Sequence, residues 1–268
     1  MKYKILCSDL DGTLLSTKSD VSDLTIAEIT RIKTKIKVVL VSARMPKSMT
    51  YLQKRLGIEN QPIICYNGAL VLDKNNELNS VTIPISRVKE IYLLAEKHNI
   101  KLGLYYKDEW YVEETSERVE KEINYTKAIP TFRATSDTFY DWKTRNVTGA
   151  HKIMLMGTKA TCDAIYSILE DLFNSTLAIY RSNDTLIELA PLSVSKLSAI
   201  QLLLSKGETL EDIVAFGDNY NDFEMLKFVG CGVAVANARE EVKAIANFVT
   251  TSNTDHGVAK FIKEHILV

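Results

Sequence analysis

The apolar and polar positions of this 268-residue chain follow two rhythms. Through about residue 70, short unbroken apolar runs alternate with stretches in which apolar residues recur every three to four positions. Ile5-Leu6-Cys7, the run at 35–42 around Val38-Val39-Leu40-Val41, and Pro62-Ile63-Ile64-Cys65 lack in-out alternation. That is the signature of parallel strands covered on both faces. Between them, Leu24, Ala27 and Ile32 outline a helix that Ser22 or Thr25 can cap, with Thr25 and Glu28 at capping-box spacing. Pro46 opens another helix that stops near Gly57. Strand, helix, strand, helix, strand predicts an α/β fold with a doubly wound parallel sheet.

The rhythm breaks at the polar stretch 73–77, expected to be a turn. Beyond it Val88, Ile91, Tyr92 and Ala95 form a helical stripe, and 101–106 and 109–112 read as strands. An extended segment at 151–156, a helix at 159–172 and extended segments at 176–180 and 185–189 follow. An inserted α+β cap domain, a sheet with helices on one face, is expected over 83–187, between core segments 1–82 and 188–268. The second core segment resumes with a helix carrying Leu197, Ile200 and Leu204 on one face. Strands at 213–216, 231–235 and 248–250 come next, and a helix with Val258, Phe261 and Ile262 closes the chain.

Composition narrows the partners. The 33 basic and 34 acidic residues leave a net charge of -1, without the basic footprint of a nucleic-acid binder. No apolar run approaches a membrane span, and Met1-Lys2-Tyr3-Lys4 leads straight into the first strand with no room for a signal peptide. A cytoplasmic protein with a small-molecule partner is expected, as a monomer or a small homo-oligomer. Cys7, Cys65, Cys162 and Cys231 have no metal-ligand spacing and read as reduced core residues.

The candidate chemistry sits where strands end. Ile5-Leu6-Cys7-Ser8 runs into Asp9-Leu10-Asp11-Gly12-Thr13, and residues two apart at a strand end project to the same side. Asp-Gly after an apolar run is also a tight-turn signal. A second apolar strand, Ile213-Val214-Ala215-Phe216, empties into Gly217-Asp218-Asn219-Tyr220-Asn221-Asp222. Two strands that each end in paired carboxylates are not explained by turns. Such a pair suits a divalent cation, or a nucleophile beside a proton donor. Ligands of open α/β sheets collect at the carboxyl ends of the strands, where Asp9, Asp11, Ser42, Asn67 and Asp218 all fall.

These residues resemble, over essentially the whole chain, the haloacid dehalogenase-like phosphatases, in particular the Cof-type sugar-phosphate branch with a large cap. Asp9 to Leu14 matches the first motif, Val38 to Arg44 the second, Ser195-Lys196 the third and Gly217 to Asp222 the fourth. Tyr66-Asn67-Gly68-Ala69 and Asp255-His256-Gly257-Val258 match landmarks of the branch. Ser42-Ala43 stands where Thr-Gly is usual, keeping the hydroxyl and the backbone donor.

The resemblance implies Asp9 as nucleophile, Asp11 as general acid and base, and Ser42 and Lys196 holding phosphoryl oxygens. It implies Mg²⁺ on Asp9, the Asp11 carbonyl and Asp218, with Asp222 either a ligand or a helix N-terminal carboxylate. Asn67 and Asn221 are candidate substrate contacts or turn residues. Arg44 either approaches the substrate or opens the next helix, and Ser182 in the cap is a further substrate candidate. The expected activity is hydrolysis of a small phosphorylated metabolite. A sugar phosphomutase and a non-catalytic phosphate-binding or regulatory module are the alternatives.

Overall fold

In the computed structural model, residues 2–16, 20–74 and 76–267 are described; Met1, and Asn75 of the polar stretch, lie outside them. The chain divides into two compact units, Met1–Asn79 with Ser195–Val268, and Ser80–Val194.

The first unit is built on β1 (Ile5–Ser8), α1 (Asp23–Ile32), β2 (Lys37–Val41), α2 (Lys47–Leu56), β3 (Ile63–Cys65), β4 (Leu70–Asp73) and β5 (Asn76–Ser80). Ser22 caps α1, its hydroxyl accepting from the Thr25 amide, and Gly57 ends α2 in the left-handed conformation. Of the polar stretch at 73–77, Asp73 ends β4 and Asn76 and Glu77 open β5, so among its described residues only Lys74 is a turn. These two strands extend the sheet past β3, with β4 antiparallel to it.

The second unit begins with β6 (Ile83–Pro84), α3 (Ile85–Lys97), β7 (Lys101–Tyr106), β8 (Glu109–Val112), α4 (Glu117–Thr126) and β9 (Thr131–Phe132). It continues with α5 (Thr135–Thr144), β10 (Gly149–Ala150), β11 (Lys152–Met156), α6 (Lys159–Phe173), β12 (Leu177–Asn183) and β13 (Leu186–Pro191). Six strands form a sheet in the order β12-β13-β11-β7-β8-β9, antiparallel except for β8 with β9. Leu102, Leu104, Ile153, Leu155, Ile187 and Leu189 share its core with Val88 and Ile91 of α3, Trp142 of α5 and Ile165 and Leu169 of α6. Lys152 and Glu188, which alternate away from that core, pair at 3.0 Å. Strand β13 runs on to Pro191, so this unit ends at Val194, whereas the sequence pattern places the boundary at 187.

The first unit resumes with α7 (Lys196–Gln201), β14 (Ile213–Gly217), α8 (Phe223–Phe228), β15 (Cys231–Ala234), α9 (Glu240–Ile245), β16 (Phe248–Val249) and α10 (Gly257–His265). Helix α7 stops at Gln201, short of Leu204. The eight strands run β16-β15-β14-β1-β2-β3-β4-β5, parallel from β16 through β3. β1 lies between β14 and β2, with Ser8 level with Phe216 on one side and Leu40 on the other. That register brings residue 9 and the segments after 41 and 217 to one edge of the sheet. All four cysteines are buried. Among the described residues, no helix is long and apolar enough to cross a membrane.

Candidate active site

The loop after β1 has its shape because its residues leave the strand one bond at a time. The Asp9 amide still donates to the Phe216 carbonyl at 3.0 Å, as if the strand went on. Asp11 (φ -74°, ψ 115°) and Gly12 (φ 83°) then break any regular turn. At Gly12 the left-handed backbone coincides with a close approach, since a Cβ there would lie 2.6 Å from Asp218 Oδ2. Thr13 completes the contact, its hydroxyl donating to Asp218 Oδ1 at 3.1 Å. Gly12→Ala is therefore expected to cost roughly 1–2 kcal/mol for the backbone alone. It should also push Asp218 out of place, so that thermal melting and activity fall together.

The loop faces the start of α7. Ser195 caps that helix through the Ser198 amide, which leaves Lys196 pointing into the protein. Gly68 (φ 109°) allows the approach from the other side, because a Cβ there would meet the Ser195 carbonyl at 2.5 Å. Lys196, fully buried, donates at 2.6 Å to Asp9 Oδ1 and at 2.6 Å to Asp222 Oδ1. The other Asp222 oxygen accepts from the amides of Asp218 (2.9 Å) and Asn219 (3.1 Å).

One oxygen from each of Asp9, Asp218 and Asp222 lies within 4.8 Å of the others. Three carboxylates thus share one ammonium. The surplus negative charge has the expected effect on both signs of group. Burial, reinforced by Asp222 and Asp218 against the pull of Lys196, holds the Asp9 carboxyl well above the usual range. Burial and the Asp222 charge push Asp218 up to about 6. Burial alone would lower Lys196, but Asp222 and Asp9 outweigh it and its pKa rises. Lys196 is therefore firmly charged, and the excess proton affinity belongs to the carboxylates, which outnumber it. A hard divalent cation is the complement that such a donor set calls for.

Ser42 is buried one strand away, its hydroxyl accepting from the Arg44 amide at 3.2 Å. Its own carbonyl accepts from the Asn67 amide, and the Arg44 carbonyl from the Tyr66 amide, so the loops after β2 and β3 are stitched together. Asn67, in the left-handed conformation at φ 55°, accepts through its side chain from Asn221 Nδ2 at 3.1 Å. Arg44 turns to Asp11, donating from Nε to Oδ2 at 2.7 Å and from Nη2 to Oδ1 at 2.6 Å.

The model of one family, described as haloacid dehalogenase-like hydrolase, matches residues 6–262. The chain belongs to that family. The hydrolase is 30% identical to 5-amino-6-(5-phospho-D-ribitylamino)uracil phosphatase YitU of Bacillus subtilis, over 98% of each chain. It is 25% identical to pyridoxal phosphate phosphatase YbhA of Escherichia coli, over 100% of each. Its structure matches that of a haloacid dehalogenase-like hydrolase from Bacteroides thetaiotaomicron with a TM-score of 0.88 at 29% identity, covering 98% of this chain and 99% of that one. It is a phosphatase of the Cof type, a phosphoric monoester hydrolase.

Several residues that hold the hydrolase's site together carry no signal in the sequence. Asn237 donates from its side chain to the Gly12 carbonyl at 2.8 Å, and Asn253 to the Leu15 carbonyl at 2.8 Å. The Asn253 amide donates in turn to Asn237 Oδ1 at 2.9 Å, so the two asparagines clamp both ends of the loop. Loop asparagines are too common to stand out. The landmark at 255–258 is the one hint, since Ser252 bonds to Asp255 in the turn that presents Asn253. Ser182 lies in the second unit on β12, donating to Glu188 Oε2 at 2.6 Å; Glu188 also accepts from Lys152 at 3.0 Å.

Proposed function

We propose that the hydrolase is a magnesium-dependent phosphatase of small phosphorylated metabolites, sugar phosphates foremost, working through an aspartyl-phosphate intermediate. The observation that carries this reading is Asp9 itself. It is a buried carboxylate with one oxygen bound by Lys196, at the mouth of a strand, beside a cluster with surplus negative charge. The metal would be held by Asp9, Asp218 and the Asp11 carbonyl. Asp222, both of whose oxygens are already engaged, would act by bracing Lys196 and the 218–219 backbone. Bound there, Mg²⁺ supplies positive charge against the phosphate oxygens.

The protein's own steps follow from its groups. An Asp9 oxygen attacks phosphorus, and the phosphorus–oxygen bond to the leaving group breaks with its electron pair passing to that oxygen. Asp11, protonated, hands its proton to the departing alkoxide. A water molecule then attacks the aspartyl phosphate and gives its proton to the Asp11 carboxylate. The phosphorus–oxygen bond to Asp9 breaks, releasing inorganic phosphate and restoring the Asp9 carboxylate. Lys196 and the Ser42 hydroxyl stabilise phosphoryl oxygens.

The named relatives support the substrate class: one is a phosphatase of a phosphorylated ribityl compound, another of pyridoxal phosphate. Residues Ser80–Val194 are the cap in this reading and set the choice among such esters, with Ser182 as the sequence candidate there, while Asn67 and Asn221 are the substrate candidates of the first unit. A panel of phosphorylated sugars, nucleotides, amino acids and cofactors with Mg²⁺ present tests it. Phosphate release from sugar phosphates is expected, without need of a bisphosphate activator. No release from any member would overturn it.

Two consequences concern the metal. Excess chelator should stop turnover, and Asp218→Ala should raise the Mg²⁺ concentration needed by at least roughly 10–100-fold, the loss seen even for groups that only support a ligand. Asp218 takes up a proton as the pH falls through about 6, and the metal must compete with that proton. The rise in melting temperature on adding Mg²⁺ should therefore be full above that pH and shrink below it. A shift independent of pH would remove Asp218 from the ligand set.

A further inference from the structure

Arg44 and Asp11 differ in a way that assigns them different parts. The Arg44 side chain is 4% exposed and that of Asp11 52%. Arg44 is also braced from behind, its Nη1 donating to the Ser48 carbonyl at 3.5 Å and to the Tyr51 hydroxyl at 3.4 Å, both on α2. Its amide is tied to Ser42 and its carbonyl to Tyr66. From that fixed seat the guanidinium presents two parallel donors to the two Asp11 oxygens. A planar fork of this kind fixes the plane of a carboxylate, which a single point charge does not. Without it, a half-exposed aspartate on an irregular loop would be free to sample several rotamers.

We propose that Arg44 is the positioning residue for Asp11: it holds the acid's carboxyl plane so that its proton points at the leaving oxygen, and Tyr51 steadies Arg44 in turn. The proposal rests on the acid role given to Asp11 above. Arg44 itself touches neither phosphorus nor the leaving group. Its loss should therefore appear only where the leaving group needs a proton.

The test compares kcat/KM for a sugar phosphate, whose alkoxide needs protonation, with that for p-nitrophenyl phosphate, whose phenolate departs without it. Because kcat/KM covers only steps up to departure of the leaving group, breakdown of the phosphoenzyme does not blur the contrast. Asp11→Asn is the control and should lose far more on the sugar phosphate. If it loses equally on both, the acid reading of Asp11 fails, and this proposal with it.

Given that control, Arg44→Ala should lose about 10²-fold on the sugar phosphate, the effect of misplacing a group by about an ångström. It should lose only about threefold or less on p-nitrophenyl phosphate. In the Asp11→Asn background, Arg44→Ala should then cost the sugar phosphate nothing more, because the residue through which it acts is gone. Arg44→Lys, with charge but no fork, should fall between, and Tyr51→Phe should shift the same ratio more weakly. These two milder variants carry the test if melting shows that Arg44→Ala does not fold. Equal losses on both substrates, a gain on either, or full additivity with Asp11→Asn would overturn the proposal.

Discussion

Asp9→Asn should lose phosphate release by roughly 10⁴-fold or more, the scale on which removal of a nucleophile acts, and should still fold. The two halves of this expectation have separate causes. The oxygen that would bond to phosphorus is gone, and an amide cannot replace it as a nucleophile. The fold should stand because Asp9 belongs to a carboxylate surplus. Its raised pKa means that the charged form is disfavoured in the folded protein, chiefly by burial, with Asp222 and Asp218 adding to it. A neutral amide keeps the shape and relieves that crowding, while Lys196 retains Asp222 at 2.6 Å. Melting with and without Mg²⁺, beside a phosphate assay, decides the matter. Residual turnover within about tenfold of the parent would end the covalent mechanism.

Lys196→Met should do the opposite to stability. It removes the one ammonium from between two buried carboxylates, and breaking a buried pair on one side costs roughly 3–5 kcal/mol. Activity should fall with it, since Lys196 is the donor already bound to the nucleophile. The folded pKa of Lys196 lies above its ordinary 10.5. Its stabilising contribution is therefore complete below that pH and is lost only as the pH climbs through the higher, folded value. The gap between parent and variant, measured by denaturant unfolding, should hold from neutrality to about 10.5 and close above it. A diagnostic follows from the cause: adding Asp9→Asn to Lys196→Met should restore part of the lost stability by removing one of the stranded charges. If Lys196→Met is as stable as the parent, the ion-pair cluster is not what holds α7 to the site.

What could be read without a structure, and what could not, divides along a physical line. The strands at β1, β2, β3 and β14 were legible because burial on both faces demands apolar residues at every position, a demand met locally. The helix ends at Ser22 and Gly57 were legible for the same reason, since caps and left-handed stops are decided within a few residues. Asp9, Asp11 and Asp218 stood out as carboxylates where two apolar strands end, whereas Lys196, which alone reads as a surface lysine, stood out only through the order of four motifs. What remained hidden depends on residues far apart in the chain. The sequence offers Arg44 two fates, substrate contact or helix opener, and the structure turns it to Asp11, 33 residues earlier. Asn237 and Asn253 clamp the loop at Gly12 and Leu15 from 225 and 238 residues away. Spacing alone offers Asp222 as a ligand or a helix-end carboxylate, and only the structure shows that Lys196 bonds one of its oxygens and two amides the other. Local pattern determines which backbone conformations are affordable and which faces must be dry. Which polar group answers which is decided only when the sheet brings strand ends together, because a hydrogen bond depends on distance and angle, and neither is written in the order of residues.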